Sequence, residues 1–114
     1  MKLATKITLF VPGTVNVNEL NPGMQAKFTN IVQERFTEWF GGSTTIAAEG
    51  TYTAASGIVR EPINMVSTFS NDTSKLPMVH ALAADIAYEM GQECVAVEVN
   101  GQVEFVESIK AAAA

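Results

Sequence analysis

Polar and apolar residues alternate from Lys6 to Val11: Ile7, Leu9 and Val11 share one side, Lys6, Thr8 and Phe10 the other. A period of two predicts a strand, and Pro12-Gly13 ends it. Thr14 to Leu20 is polar and is expected to be a loop. The period changes at Asn21-Pro22. Asn is a good helix N-cap, and proline costs nothing at the first helical position. Met24, Phe28, Ile31, Val32, Phe36, Trp39 and Phe40 then recur in steps of one, three and four, which places them in one stripe of a helix that Gly41-Gly42 ends.

A second strand is predicted over about Thr44 to Thr53, with Ile46, Ala48, Gly50 and Tyr52 on one face. Ala54-Ala55-Ser56-Gly57 is a turn by composition. A third strand follows from about Ile58 to Ser70, with Ile63, Met65, Ser67 and Phe69 toward the core. Pro62 marks a bulge or an edge in it. Ser74 is the expected cap of a second helix whose stripe is Leu76, Val79, Leu82, Ala83, Ile86, Ala87 and Met90, with Gly91 as its stop. Val95, Val97 and Val99 alternate in a fourth strand. Asn100-Gly101 signals a hairpin into a fifth. A three-residue bulged loop is expected there, because it pairs Val97 with Phe105 and keeps polar residues off the core face.

Strand, helix, strand, strand, helix, strand is the ferredoxin-like split βαβ order, here with an added C-terminal hairpin strand. Right-handed crossovers put both helices on one face of an antiparallel sheet. The 114 residues suit a single α+β domain over 1–110, followed by an alanine tail at 111–114.

Composition narrows the chemistry. Seven Lys+Arg against twelve Asp+Glu leave a net charge of -5, too few cations for a nucleic-acid footprint or for docking on an anionic membrane. No nucleic-acid or membrane partner is therefore expected. One cysteine, Cys94, excludes an intrachain disulfide, and with the single histidine, His80, it leaves too few ligands for a structural zinc site. No cofactor is expected. The apolar run Ile7 to Val11 is too short for a signal-peptide core, so the expected location is cytoplasmic or virion-associated.

The sheet face turned away from the helices is expected to show Thr8, Phe10, Thr45, Ala47, Glu49, Thr51, Asn64, Val66, Thr68 and Ala96. Such a weakly polar face suits self-association, with Thr8, Phe10, Thr45, Thr51, Val66 and Thr68 as candidate interface residues and a dimer or larger as the expected state. Arg60 and Glu61 are the most notable polar pair. They are adjacent in a strand and so point to opposite faces. Arg60 can anchor an anionic ligand, with Glu61, Glu49 or His80 as neighbouring acid or base. The plainer and favoured reading of Arg60 is an ion pair with Glu49 or Glu98 across the sheet. His80 lies at the edge of a helix stripe with no evident partner, and Cys94 reads as a small buried hydrophobe.

Gly57-Ile58-Val59-Arg60-Glu61-Pro62 and Gly91-Gln92-Glu93-Cys94 resemble two stretches of a family of short bacterial proteins known only as a domain of unknown function: a glycine before a Val/Ile-Arg-Glu-Pro strand, and a Gly-Gln-Glu-Ser stretch opening the last strand. Ile63 after Pro62, and Cys94 in place of the usual serine, depart from that pattern. The resemblance implies the same fold, draws attention to Arg60 and Glu61, and brings no activity with it. The expected function is a non-catalytic, self-associating binding or assembly module, of the sort found as phage or bacterial accessory proteins. One alternative is an anionic-ligand binding protein or enzyme using the open sheet face. Another is an acidic inhibitor of a host defence or regulatory protein, which would bring a protein partner.

Overall fold

The computed structural model describes residues 1–108, Ala54 by its backbone alone. The alanine tail and the last two residues of the expected domain lie outside the described residues. The elements are β1 (Thr5–Pro12), β2 (Thr14–Val15), β3 (Glu19–Leu20), α1 (Pro22–Phe40), β4 (Thr44–Ala54), β5 (Gly57–Ser70), α2 (Leu76–Glu89), β6 (Cys94–Val99) and β7 (Gln102–Glu107). Five strands form one antiparallel sheet in the order β4-β5-β1-β6-β7. This is the ferredoxin-like arrangement with β7 added at one edge, as the order of elements predicts. The polar stretch from Thr14 to Leu20 folds back on itself as the small β2–β3 ribbon.

The core shows why both helices share one face. Ile7, Leu9 and Val11 of β1 are fully buried and pack in one cluster with Phe28, Val32 and Phe36 of α1 and with Val79, Ala83, Ile86 and Ala87 of α2. Each of these isoleucine, leucine, valine and phenylalanine side chains, moved out of water, contributes roughly 1.5–3 kcal/mol before conformational entropy is counted. The acids Glu34, Glu38, Asp85 and Glu89 lie exposed on the outer sides of the helices. Asn21 caps α1 by accepting the Met24 amide at 3.1 Å. Gly41, at φ 96°, closes that helix in the left-handed conformation that favours glycine. Ser74 does not cap α2: the N-cap position falls on Lys75, without a side-chain bond, and Ser74 instead gives its amide to Asp72 Oδ1.

Two register expectations are corrected. The Asn100-Gly101 hairpin has a strict two-residue loop, with Val99 opposite Gln102 and Val97 opposite Glu104. Both turn residues have positive φ, 51° and 84°, the pattern of a type I′ turn, whose twist matches the strands and needs no bulge. Glu104 therefore lies on the helix side, where His80 of α2 meets its carboxylate, while Val103 and Phe105 turn to the open face.

The second correction concerns β4 and β5. Val66 pairs with Leu9, and Thr45 pairs with Val66, so Thr45, Thr51, Val66 and Thr68 belong to the helix side of the sheet. Val66 is fully buried there. Pro62 sits one position past the end of the β1 pairing, where β5 has a neighbour on one side only and proline is tolerated.

Candidate functional site

With the register corrected, the open face is more apolar than the sequence pattern implies. One row crosses the whole sheet: Ile46 pairs with Met65, Met65 with Phe10, and Ala96 with Phe105. One step beyond the Leu9–Val97 pair, the register brings Phe10 opposite Ala96. Ile46 is 59% exposed, Phe69 50%, Val103 49% and Phe105 68%, so among the described residues no element covers this face. Thr8 is the exception, buried with its hydroxyl 2.7 Å from that of Ser67. Of the six expected interface residues, Thr8 and Phe10 lie on this face. The other four lie on the opposite one, and three are engaged there or buried: Thr45 accepts from Gln33, Thr68 donates to the Gly42 carbonyl, and Val66 is core.

The β4–β5 hairpin carries the most chemical part of the face. Gly50 pairs with Glu61 and Tyr52 with Val59, so Tyr52 and Glu61 stand diagonally on the same side, with no side chain at Gly50 between them. A methyl group at Gly50 would lie 3.2 Å from Ile63 Cγ1. Glycine inside a strand often marks a place where another group approaches the backbone closely. The result is a shallow notch with an aromatic ring on one side and a carboxylate on the other, its floor formed by Gly50 and the Ile63 side chain that leans over it. Burial, and then the Glu61 charge, push the Tyr52 hydroxyl above its ordinary pKa, so it remains a proton donor throughout the neutral range.

Glu61 is held from behind. Its Oε2 accepts the Thr14 hydroxyl at 2.6 Å, and Gln92 Nε2 donates to the Thr14 carbonyl at 2.8 Å and to Thr14 Oγ1 at 2.9 Å. The Gly-Gln pair that follows α2 has a local reason. Gly91, at φ 63°, packs so closely on Asn16 that a Cβ would lie 2.6 Å from Asn16 Oδ1. This contact, with the Asn16 amide bonded to the Met90 carbonyl at 2.9 Å, brings Gln92 against β2. Asn16 and Val17 have φ of 49° and 76°. For Val17 that is strained, because a β-branched side chain crowds the left-handed region.

The expected ligand residues do not converge. Arg60 Nη1 lies 3.3 Å from Glu49 Oε1, and both side chains are about two-thirds exposed, on the side of the hairpin opposite Glu61. That is the plain ion pair favoured for Arg60, and Glu49 is its partner. His80 sits on α2 with Nδ1 2.8 Å from the Leu76 carbonyl and Nε2 against Glu104, remote from the notch. Cys94 is half-buried at the start of β6. Burial, then the charges of Glu93 and Glu107, push its thiol above the usual range. Sequence reasoning missed Tyr52, Thr14 and Gln92 as partners of Glu61. Gly50 in mid-strand, two residues before an aromatic, was the signal that could have found the notch.

Two shallow depressions border the face. One, of about 280 Å³, lies between Leu3, Phe40, Thr44, Ser67 and Phe69; the other, of about 380 Å³, between Glu93, Cys94, Phe105 and Glu107. Neither reaches Tyr52 or Glu61. Among the described residues, no three His, Cys, Asp or Glu side chains gather as a metal set, and no helix is long and apolar enough to cross a membrane.

No protein-family model matches the chain, and no curated protein matches it significantly. Among solved structures it is similar to a phage SAM lyase in complex with S-methyl-5′-thioadenosine, at 18% identity over 95% of both chains with a TM-score of 0.69. It is also similar to a phage SAM lyase in the apo state, at 18% identity over 94% of this chain and 91% of that one, with a TM-score of 0.66. At this identity the likeness establishes the ferredoxin-like fold along nearly the whole chain.

Proposed function

We propose that this protein binds an adenosine-containing sulfonium compound at the Tyr52–Glu61 notch and cleaves it as a lyase, releasing S-methyl-5′-thioadenosine from S-adenosylmethionine. The observation that carries this reading is the meeting of an aromatic ring and an oriented carboxylate across Gly50, on a fold that in its neighbour holds that nucleoside. A flat purine suits an aliphatic floor such as Ile63 beside a tyrosine ring. A substrate with a sulfonium and an ammonium suits a carboxylate. Of the readings the sequence leaves open, this is the small-molecule one, with Glu61 as its anchor and Arg60 outside the site.

The chemistry constrains the role of Glu61. When the methionine carbon–sulfur bond breaks, sulfur keeps the electron pair and the positive charge disappears. A carboxylate placed at the sulfonium would therefore stabilise the substrate more than the transition state. The departing Cγ must gain an electron pair, either from the substrate's own carboxylate, closing a lactone, or from the β carbon–hydrogen bond as that proton leaves and an alkene forms. Glu61 serves the first by holding the ammonium end and the second by accepting the proton. Tyr52, neutral, supplies a hydroxyl donor beside it.

Incubation with S-adenosylmethionine, followed by chromatography for S-methyl-5′-thioadenosine, tests the reading. The wild type is expected to release the thioether. Glu61→Gln is expected to slow release by about 10²–10⁴-fold, the range of a lost acid–base group. A wild type that neither cleaves S-adenosylmethionine nor binds the thioadenosine in calorimetry would end it.

Self-association is a second part of the proposal, carried by the apolar row Ile46, Met65, Phe10, Ala96 and Phe105. Five strands about 4.8 Å apart, along eight residues at about 3.4 Å each, give a footprint on the order of 500 Å² before the hairpin is added. That approaches the ~800 Å² per partner of a stable interface. A second copy laid on this face would also cover the notch. A dimer or larger is expected in light scattering at micromolar concentration.

A further inference from the structure

We infer that Thr14 and Gln92 are positioning residues: through a one-way hydrogen-bond chain they fix the Glu61 carboxylate in one orientation and leave its second oxygen for the ligand. The inference rests on the reading of the notch as the binding site and deepens it.

The direction of the chain follows from its acceptors. A carbonyl only accepts, so the Gln92 group that lies 2.8 Å from the Thr14 carbonyl must be the amide NH₂. The same NH₂ reaches Thr14 Oγ1 at 2.9 Å and donates there as well. With its oxygen already accepting, the Thr14 hydroxyl directs its own hydrogen outward. Two acceptors lie within reach: the Val17 carbonyl at 3.1 Å and Glu61 Oε2 at 2.6 Å. The shorter contact has the length of a hydroxyl bonded to an ionised carboxylate. Thr14 is only 2% exposed, so water does not compete for the bond. Among the described residues, Glu61 Oε1 has no hydrogen bond.

A carboxylate in a shallow notch needs no protein donor to be satisfied, since water would do it. Here the fold places a buried threonine, and a glutamine from the connection between α2 and β6, behind one glutamate oxygen. What they add is orientation, because a group whose rotamer is locked by its supporting shell presents its free atoms in one place. The strained Asn16–Val17 turn belongs to the same device, since it folds β2 back so that Thr14 faces Glu61 and Gly91 can pack behind it.

Thr14→Val keeps the shape of the side chain and removes the hydroxyl; Thr14→Ser keeps the hydroxyl. In ligand-free crystal structures, Glu61 is expected in one rotamer in the wild type and Thr14→Ser, and spread over several in Thr14→Val. An unchanged, ordered Glu61 in Thr14→Val would overturn the inference, whatever the protein turns over. In S-adenosylmethionine cleavage, Thr14→Val is expected to lose about 30-fold in kcat, somewhat less than the ~10²-fold cost of an ångström of misplacement. Its melting temperature should stay close to that of the wild type, and Thr14→Ser should recover most of the rate. Equal kinetics in Thr14→Val and wild type, or a Thr14→Ser variant as slow as Thr14→Val, would also overturn it. A wild type without lyase activity would remove the proposed function, while the rotamer comparison still decides whether Glu61 is positioned.

Discussion

The two faces of β5 are one residue out of step and differ in kind. On the helix side stand Asn64, Val66 and Thr68; on the open side stand Ile63, Met65, Ser67 and Phe69. The bulkier, more apolar set is the uncovered one. The covered set is small because α1 lies directly upon it, and its polar members are all satisfied there: Asn64 donates to Thr29 Oγ1 at 3.0 Å, and Thr68 to the Gly42 carbonyl at 2.7 Å. Hydrophobicity alone thus fails to identify the core of a two-layer protein when its second face is also apolar. Threonine and asparagine enter a core at little cost once a helix offers partners for their hydrogen bonds.

The contrast can be broken or sharpened by substitution. The largest effect is expected on the helix side. Leu9→Ala removes a fully buried side chain and should destabilise the fold by about 2–5 kcal/mol in urea denaturation. A loss below 1 kcal/mol would mean that the helix side is not the main core. On the open side, Phe105→Ser should change the stability of the isolated chain by no more than about 0.5 kcal/mol, as exposed positions do. It should nevertheless shift the mass in sedimentation toward the monomer. Were it to unfold the protein with no change in assembly, the open face would be serving the core. The smallest effect is chemical. Cys94 lies on the open face with its thiol held above the ordinary pKa by burial and by the carboxylates of Glu93 and Glu107. Alkylation by iodoacetamide should therefore be slow near neutrality and accelerate only as pH rises beyond the normal thiol range. Reaction should accelerate as the protein is diluted if a second copy shields the thiol, and be independent of protein concentration if none does.

Much of the fold was legible in the sequence. The stripe from Met24 to Phe40, the Asn21 cap and the Gly41 stop define α1 without tertiary information, and the order of elements selects the sheet topology. The face of β4 and β5 was not legible, because both sides of these strands alternate plausibly and the choice depends on the pairing of Val66 with Leu9. The Asn100-Gly101 loop was misread for a related reason: keeping Glu104 off the helix side appeared necessary, while the partner that satisfies it, His80, is distant in sequence. The site was half legible. Glu61 stood out as a charged residue beside a proline, but Thr14 reaches it across 47 residues and Gln92 reaches Thr14 across 78, which no local pattern encodes.

The central place of β1 sets the order in which the molecule can be assembled. Its neighbours on the two sides, β5 and β6, are synthesised long after it, and the Asn100 turn ties back to it through both the amide and the carbonyl of Lys6. On the ribosome, one edge of β1 can pair as soon as β5 has emerged, while the other stays open until β6 follows some thirty residues later. Completion of the sheet is therefore a late event governed by distant contacts, and the β1 edge that awaits β6 is the segment most in need of protection from aggregation or from chaperone capture.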